Sequence, residues 1–262
     1  MEVRLDGRTA LITGGSAGLG KAMAQKFAES GADVAILARR PEVLEEARGQ
    51  IAATTNGRVM AYVCDVTDPE ALRRTVEQAN GDLGKVDILV NNAGTSQTGK
   101  FEEITDEVWK ADLELKLFAA IRLSRLCLPA MKERRWGRII NVLNIGAKAP
   151  RGGSAPTSVS RAAGMALTKV LANEGAPYNV LVNALLVGLI DSEQHVRRHE
   201  REAPETDYQA FLAQMAKQRG VPMGRVGEAE EFANVACFLA SDAGGYVTGT
   251  AINVDGGNAP VV

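Results

Sequence analysis

The sequence predicts an α/β protein built on a doubly wound, seven-stranded parallel sheet. Short apolar runs alternate with longer amphipathic stretches along nearly all of the 262 residues. The apolar runs show no polar alternation, which is typical of strands that are buried on both faces of a parallel sheet. Hydrophobic residues make up 45% of the chain, enough for a sizeable core, and we expect residues 1–262 to form a single domain.

The strands and helices are predicted to alternate in a regular order, which gives right-handed crossovers and helices on both faces of the sheet. The predicted strands are TALIT (9–13), ADVAILA (32–38), RVMAYVC (58–64), KVDILVN (85–91), RIINVL (138–143), NVLVNALLV (179–187) and TAINVD (250–255). The predicted helices include KAMAQKFAES (21–30), EVLEEARGQIAAT (42–54), PEALRRTVEQAN (69–80) and two stretches near 105–133 and 156–175.

One segment interrupts this alternation. Residues 189–227 separate the sixth strand from the last helix, and so long an excursion in a compact domain usually forms helices of its own or has a function. We therefore predict a small helical lid there. His195 and His199 are four residues apart, a spacing that can bind metal, but their neighbours are charged (HVRRHERE). We expect an exposed polar helix face and no metal.

Composition narrows the classes of function. The net charge is −2 and no basic stripe with interleaved aromatics occurs, so nothing points to nucleic acid. The cysteines are far apart and lie in apolar surroundings, which indicates core filling rather than disulfides or metal ligation. The N-terminus has no apolar signal core, and the longest apolar run, 180–190, is too short to cross a membrane, so a cytoplasmic location is expected. The three cysteines that are expected to fill the core are Cys64, Cys127 and Cys237.

The segment TGGSAGLG (13–20) is a candidate nucleotide-binding loop. It follows the first predicted strand directly and begins the first helix. Glycines at 14, 18 and 20 allow a tight turn and a close approach of the backbone to a diphosphate, and the helix N-terminus adds free N–H groups. The strand–loop–helix context makes a nucleotide cofactor the preferred interpretation over a simple tight turn.

The end of the second strand predicts which cofactor is bound. NAD-binding sheets of this type usually carry an acidic residue there, which holds the ribose 2′-hydroxyl, whereas this chain has Arg39 followed by Arg40. A planar guanidinium matches a 2′-phosphate, so NADP(H) is favoured over NAD(H). The alternative interpretation is that Arg39 is only a surface residue at the start of the next helix and does not bind the cofactor. Asp65 can contact an adenine or cap the helix near Pro69, and these two roles remain open.

The motifs TGGSAGLG, CDV, NNAG, GRIINV, VNALLVGLIDS and SDAGGYVTGTAINVDGG together resemble the short-chain dehydrogenase/reductases of the single-domain, FabG-like type. Their order and spacing match over residues 5–257. The resemblance implies a Rossmann-type sheet, a bound nicotinamide cofactor, a small carbonyl or alcohol substrate and a homotetramer or dimer. The cofactor-binding residues that it implies are Gly14, Ser16, Ala17, Gly18, Leu19, Gly20, Arg39, Asp65, Val66, Asn92, Ala93, Gly94, Arg161, Gly188, Ile190 and Ser192.

The same resemblance implies a catalytic tetrad of Asn, Ser, Tyr and Lys, and here this chain departs from the family. Lys116 stands at the position of the Asn, Asn144 at that of the Ser, Thr157 at that of the Tyr and Arg161 at that of the Lys. Val187 also stands where the family usually has Pro. All four catalytic residue types are replaced, whereas the cofactor motifs remain.

The replacements alter the chemistry available to the site. An aliphatic hydroxyl such as that of Thr157 is a poor general acid, and Arg161 keeps its proton. Asn144 offers an amide donor for a carbonyl oxygen. Lys116 can titrate, because partial burial beside Arg161 lowers a lysine pKa. We therefore predict an oxidoreductase with an atypical active site; the alternatives are a non-catalytic cofactor-binding or assembly protein, or redox-neutral chemistry in the same pocket.

Other groups near the predicted site are less easily interpreted. Lys148 and Arg151 follow the fifth predicted strand, where they either attract an anionic substrate or are simply solvated. Tyr178 lies at the entry to the sixth strand and Tyr208 in the lid, so neither is an evident replacement for the lost tyrosine. Small residues in the helix near 156–175 either meet the sheet or pack against a neighbouring subunit: Ala162, Ala163, Gly164 and Ala166.

Overall fold

The computed structural model describes residues 2–262, and its centre is a seven-stranded sheet in which every neighbouring pair of strands is parallel. This confirms the predicted fold class. The strands are β1 (Thr9–Thr13), β2 (Asp33–Ala38), β3 (Val59–Val63), β4 (Ile88–Asn91), β6 (Gly137–Asn144), β8 (Val180–Val187) and β9 (Ala251–Val254). Their order across the sheet is β3-β2-β1-β4-β6-β8-β9.

Helices connect the strands and cover both faces of the sheet. The helices are α1 (Gly18–Glu29), α2 (Pro41–Ala52), α3 (Pro69–Leu83), α4 (Asp106–Leu113), α5 (Ala119–Glu133), α6 (Thr157–Gly175), α7 (Glu193–Glu202), α8 (Tyr208–Arg219) and α9 (Ala229–Ala240). Most of their bounds agree with the sequence expectation to within three residues; α3, for example, continues to Leu83 and ends where Gly84 takes a left-handed φ of 88°.

The core consists of two apolar layers, one on each face of the sheet. Ala10 and Ile12 of β1 pack with Phe27 of α1 on one face, whereas Leu11 between them packs with Leu72 of α3 on the other. Successive side chains of a strand point to opposite faces, so a strand covered on both sides must be apolar at every position. This explains why the strands lack polar alternation.

The stretch predicted as one helix near 105–133 is interrupted. Between α4 and α5, residues Glu114–Phe118 form a π-helical segment, in which wider turns shift the side chains out of the α-helical register. Lys116 lies in this segment and is buried, and the neighbouring Leu115 faces the cleft described below. The interruption therefore supplies one side of the functional site.

A small antiparallel ladder pairs β5 (Thr98–Gly99) with β7 (Ala155–Pro156). The sequence did not predict it, because two residues per strand leave no periodic pattern to read. The ladder ties the loop after β4 to the start of α6. It thereby holds residue 157 against the loop that contains Gln97.

The segment 189–227 does contain two helices, α7 and α8, as predicted. It has a small apolar core of its own, to which Phe211, Leu212 and Met215 of α8 contribute. The expected exposed face for the two histidines is wrong: both are half-buried, and the His199 ring lies 5.2 Å from the centroids of Tyr208 and Phe211. Charged neighbours in sequence concealed this packing, because α8 comes later in the chain and covers them.

Within residues 2–262, no helix is long and apolar enough to cross a membrane. The three cysteines are free and buried, as predicted for core residues. The loops that follow the strands gather at the carboxyl edge of the sheet, where ligands bind in open α/β folds.

Candidate functional site

A cleft of about 410 Å³ opens at the carboxyl edge of the sheet, beside β1, β2, β3 and β4. It lies where the chain crosses from one side of β1 to the other, which is the usual position of a dinucleotide in folds of this kind. Residues from four loops and the π-helical segment line it: Gly14, Ser16, Leu37, Ala38, Arg39, Arg40, Cys64, Asp65, Val66, Ala93, Gly94, Thr95 and Leu115.

The loop between β1 and α1 has backbone angles and close backbone contacts that require glycine. Gly14 and Gly18 have φ of 65° and 51°, in the left-handed region. A Cβ on Gly20 would lie 2.2 Å from the Gly14 carbonyl oxygen, so these two backbone segments touch directly. The N-cap residue Ala17 makes no side-chain hydrogen bond, and the first turn of α1 has no acidic residue, which leaves N–H groups available to an anion.

The turn after β4 is fastened to the end of β1. Asn92 Nδ2 donates to the Thr13 carbonyl at 2.9 Å, and the backbone N–H groups of Asn92 and Ala93 both donate to Thr13 Oγ1 at 2.9 Å. The Asn92 side chain therefore satisfies a backbone group at the end of β1. The wall of the cleft at Ala93 and Gly94 is therefore preorganised.

The far end of the cleft carries Arg39 and Asp65. Asp65 Oδ1 accepts from both the backbone N–H and the hydroxyl of Thr67, and these bonds, with a smaller contribution from Arg39, lower the pKa of the carboxyl group. The alternative that Asp65 caps the next helix is wrong, because Asp68 caps α3 by accepting from Glu70 and Ala71. Asp65 therefore stays beside the cleft as a charged group.

The loop after β8 holds the last of the expected cofactor residues. Gly188 is required there, since a Cβ would lie 2.4 Å from the side chain of Asp255. Ile190 is buried and lines a second cavity of about 480 Å³, together with Asp255, and Ser192 precedes α7. None of these three lines the first cleft, so their cofactor role remains a prediction.

Thr157, at the position of the family's tyrosine, is buried and fully hydrogen-bonded. Its hydroxyl donates to the Gln97 carbonyl at 2.7 Å and accepts from the Gln97 N–H at 2.9 Å and from Lys116 Nζ at 2.7 Å. Only 4% of the residue is exposed. The side chain thus anchors the loop after β4 rather than reaching into open space.

Lys116 forms a buried ion pair with Asp112, one turn earlier on the helix. Each side chain is 1% exposed, and the second Asp112 oxygen accepts from Ser160 Oγ at 2.6 Å. Burial lowers the pKa of Lys116, while Asp112 opposes and Arg161 adds to that change. The predicted direction of the change in the Lys116 pKa agrees with this. The main partner of Lys116, however, is the Asp112 carboxylate, which the sequence analysis did not identify.

Arg161 is the cation of the site that has no carboxylate partner. Its Nη1 donates to the Val142 carbonyl at 2.8 Å, and its Nε has no partner among residues 2–262. A Cβ on Gly94 would lie 2.5 Å from Nη2, so Gly94 provides the space in which the guanidinium lies. Burial lowers the pKa of Arg161 to about 10, which leaves it charged at neutral pH.

Asn144, at the position of the family's serine, lies at the carboxyl end of β6. Its Oδ1 is buried and has no hydrogen-bond partner in the part of the chain that the structure describes. The side chain lies over Gly146, where a Cβ would be 3.1 Å from Oδ1 and 2.7 Å from Ser158 Oγ. This oxygen is therefore an unpartnered acceptor, which is rare for a buried polar atom.

The remaining candidates are engaged elsewhere. Lys148 is half-buried and its Nζ donates to the Ala251 carbonyl at 2.7 Å, whereas Arg151 is exposed, and attraction of an anionic substrate by either residue stays a prediction. Tyr208 donates to Asp191 Oδ1 at 2.5 Å, and burial followed by that contact raises the pKa of the phenol. Tyr178 is 41% exposed beyond the C-terminus of α6, at the opposite edge of the sheet.

Sequence reasoning missed three members of this network: Asp112, Ser160 and the backbone of Gln97. Asp112 and Lys116 carried one usable signal, since oppositely charged residues four apart on a helix face each other. That pattern is usually a solvated pair, and only the packing of α6 against the π-helical segment buries it here. Counting Asp112, Lys116 and Arg161, the buried site holds one surplus positive charge.

Comparisons with known proteins agree with this geometry. A family model described as enoyl-(acyl carrier protein) reductase matches residues 14–259. The 3-oxoacyl-[acyl-carrier-protein] reductase FabG of Escherichia coli (strain K12) is 33% identical over 255 residues, which cover 97% of this chain and 98% of that protein. The corresponding protein of Pseudomonas aeruginosa is 35% identical over 254 residues, with 97% and 98% covered.

Two solved structures are similar along the whole chain. L-sorbose reductase from Gluconobacter frateurii, in complex with NADPH and L-sorbose, superposes with a TM-score of 0.95 at 34% identity and covers 100% of both chains. A short-chain oxidoreductase from Pseudomonas aeruginosa PAO1 with an atypical catalytic centre, bound to NADPH, has a TM-score of 0.93 at 37% identity and covers 99% of both chains.

Proposed function

The chain belongs to the short-chain dehydrogenase/reductase family of oxidoreductases, and on that premise we propose that it transfers a hydride between NADP(H) and a small carbonyl or alcohol substrate in an atypical active site. The observation that carries the proposal is the intact cleft beside a rebuilt catalytic network. Gly14, Gly18 and Gly20 keep the shape that a diphosphate needs, although all four tetrad positions are replaced.

The residues present fit such a cofactor. The N-terminus of α1 and the glycine loop would hold the diphosphate, and Arg39 and Ser16 at the edge of the cleft would hold the 2′-phosphate. NADPH, when bound, supplies the hydride. Both similar structures described as NADPH complexes support this choice of cofactor.

The chain's own residues have separate tasks in this proposal. Arg161 keeps a positive charge under the reacting centre, beside Gly94, and Asn144 orients the substrate oxygen by donating to it from the amide Nδ2. Thr157, Lys116 and Asp112 hold the loop after β4 and the start of α6 in place. The helices α7 and α8 form a lid that sets the substrate and excludes water.

The cofactor assignment is tested with Arg39→Glu. We expect wild-type protein to bind NADPH more tightly than NADH, and Arg39→Glu to reverse this order because a carboxylate repels a 2′-phosphate and accepts from a 2′-hydroxyl. Loss of a charged phosphate contact should weaken NADPH binding roughly tenfold or more, as measured by fluorescence titration.

Arg48→Glu is the matched control, since Arg48 is paired with Glu45 on the outer face of α2. Tighter binding of NADH by wild-type protein would contradict the assignment. NADPH oxidation with a panel of carbonyl compounds, and NADP⁺ reduction with the corresponding alcohols, test catalysis itself. Tight NADPH binding without turnover of any carbonyl or alcohol would count against an oxidoreductase.

We also propose that the chain assembles as a homotetramer or dimer. The face of α6 that carries Ala166 and Val170 is exposed, as are Leu126 and Phe118 on and before α5, whereas Gly164 packs on Leu143 of the sheet. Apolar side chains on neighbouring helices are typical of a contact between subunits. Sedimentation velocity should show a tetramer or dimer, and a monomer at all concentrations would contradict the proposal.

A further inference from the structure

A second cavity, of about 480 Å³, lies beside the loop after β8. Its walls come from that loop, from the segment between α8 and α9, and from the turn after β9. Within residues 2–262, none of its lining residues also lines the cleft beside β1, β2, β3 and β4. The volume falls within the range of about 300–1,000 Å³ that is typical of small-molecule sites, so the cavity is a second candidate site.

The three segments that form the walls are fastened to one another. The Gly227 N–H donates to the Leu189 carbonyl at 3.0 Å, and the Asp191 N–H donates to the Gly227 carbonyl at 2.8 Å. The Met223 N–H donates to the Gly256 carbonyl at 3.2 Å. Because these backbone bonds already hold the walls, a ligand loses little affinity to ordering of the protein.

One part of the lining is apolar and open to solvent. Leu189, Ile190 and Met223 contribute to it, and Ile190 is buried. Met223 is 61% exposed, so the cavity can be reached from outside. An apolar body that covered these side chains would be stabilised by the surface that both partners remove from water.

The polar part of the lining offers an acceptor. Asn253 Oδ1 is buried and has no hydrogen-bond partner in residues 2–262. The amide orientation is set by Nδ2, which donates to the Val261 carbonyl at 3.0 Å, so the free atom is the oxygen. A ligand N–H or O–H group would satisfy Oδ1, whereas a carboxylate or phosphate would present a second acceptor to it.

The charged side chains of the lining favour a cation. Arg225 donates from Nη1 and Nη2 to the two carboxylate oxygens of Glu231, at 2.8 and 2.6 Å, so these two charges balance. Asp255 accepts from the backbone N–H groups of Gly257 and Ala259, which carry no net charge to balance its own. Counting Arg225, Glu231 and Asp255, the lining holds one surplus negative charge.

We propose that the second cavity binds a small ammonium compound with an apolar body, an amine that is protonated at neutral pH. The ammonium group donates to Asn253 Oδ1 near the Asp255 carboxylate, and the apolar body packs against Leu189, Ile190 and Met223. This site is distinct from the nucleotide cleft, so the ligand binds with or without NADPH.

Three compounds with the same rigid body and different head groups test the proposal: 1-adamantylammonium, 1-adamantanol and 1-adamantanecarboxylate. Binding at pH 7 is followed by the NMR shift of the Met223 methyl group, which Met223→Leu assigns. We expect the ammonium compound to shift this resonance saturably, with a dissociation constant of about 1 mM or lower. The alcohol should bind roughly tenfold more weakly, and the carboxylate more weakly still, because the surplus charge repels it.

Asp255→Asn tests the charge in the lining. It should reduce the preference for the ammonium compound over the alcohol roughly tenfold, a ratio that a general loss of fold would not change. Glu133→Gln is the matched control, because Glu133 is an exposed carboxylate at the C-terminal end of α5 and its loss should leave the ratio unchanged. Asn253→Leu removes the acceptor and should weaken binding of both compounds.

The outcomes separate this site from the proposed reaction. No saturable shift of the Met223 methyl group, or equal affinity for the ammonium compound and the carboxylate, would overturn the ammonium site and leave the oxidoreductase proposal intact. Displacement of the ammonium compound by NADPH would also overturn it, since the two ligands would then share one site. Failure of NADPH to bind would count against the proposed function alone.

Discussion

Asp112→Asn is expected to lower the free energy of unfolding by about 3–5 kcal/mol, the cost of removing one partner of a buried ion pair. Without the carboxylate, Lys116 and Arg161 face each other as uncompensated cations, and Ser160 loses a charged acceptor. Urea unfolding followed by circular dichroism measures the change, read as a lower midpoint at an unchanged slope.

A double-mutant cycle identifies the cause of that loss. Asp112→Leu combined with Lys116→Met replaces the pair by apolar side chains, and it should be much less destabilising than Asp112→Leu alone. Glu70→Gln serves as the control, because Glu70 pairs with Arg73 on the exposed face of α3 and should change stability by less than about 1 kcal/mol. If the double variant is as unstable as the single one, the ion pair is not the source of the loss.

The same variant carries a pH signature. Asp112 raises the pKa of Lys116, and burial lowers it, so removing the carboxylate leaves the lysine pKa further below its unfolded value. The unfolded chain then binds more protons than the folded chain between the lowered pKa and about 10.4. The stability of Asp112→Asn should therefore rise with pH through that alkaline window, more steeply than that of wild-type protein, and reach its full value above it.

The features that sequence reasoning predicted well are those with local signals. Seven apolar runs and the glycine loop at 13–20 follow from nearest-neighbour patterns, and each was found within a few residues of its expected place. Arg39 at the cleft and Cys64, Cys127 and Cys237 in the core follow from the same reasoning.

The features that it could not predict depend on contacts between distant segments. The buried state of Asp112 requires α6 to supply Ser160 and Thr157, which are far along the chain. The half-burial of His199 depends on α8, and the ladder of β5 with β7 joins residues more than fifty positions apart. No periodicity within a single segment encodes such contacts.

Two of the four residues at the tetrad positions, Lys116 and Thr157, are in direct contact. Lys116 Nζ donates to the Thr157 hydroxyl, so the lysine that contacts position 157 belongs to the π-helical segment. A tyrosine at 157 would have to displace Lys116 or the Gln97 loop, because both lie within 3 Å of the threonine oxygen. The side chains at 116 and 157 are therefore parts of one packed arrangement with the Gln97 loop.

Gly20→Ala is expected to impair cofactor binding more than any other single methyl group added to the chain. Its Cβ would lie 2.2 Å from the carbonyl oxygen of Gly14 and 2.6 Å from Nδ2 of Asn92, and both of those are held in place by the end of β1. Overpacking of this kind costs about 1–3 kcal/mol. The clash is relieved only if the glycine loop between β1 and α1 moves from its position. NADPH affinity, measured by titration, should therefore fall roughly tenfold or more, and the midpoint of unfolding should fall as well.

Gly81→Ala provides the matched comparison for that experiment. Gly81 lies inside α3, and a Cβ added there would have no atom within 4 Å, so alanine should stabilise the helix by about 0.5–1 kcal/mol and leave NADPH affinity unchanged. The same substitution then has opposite effects on stability at the two helices. The methyl group at 81 points to solvent, whereas the methyl group at 20 clashes with the backbone of the glycine loop. Equal NADPH affinity of Gly20→Ala and wild-type protein would mean that the loop between β1 and α1 does not hold the cofactor, and the cleft at the carboxyl edge would lose its assignment.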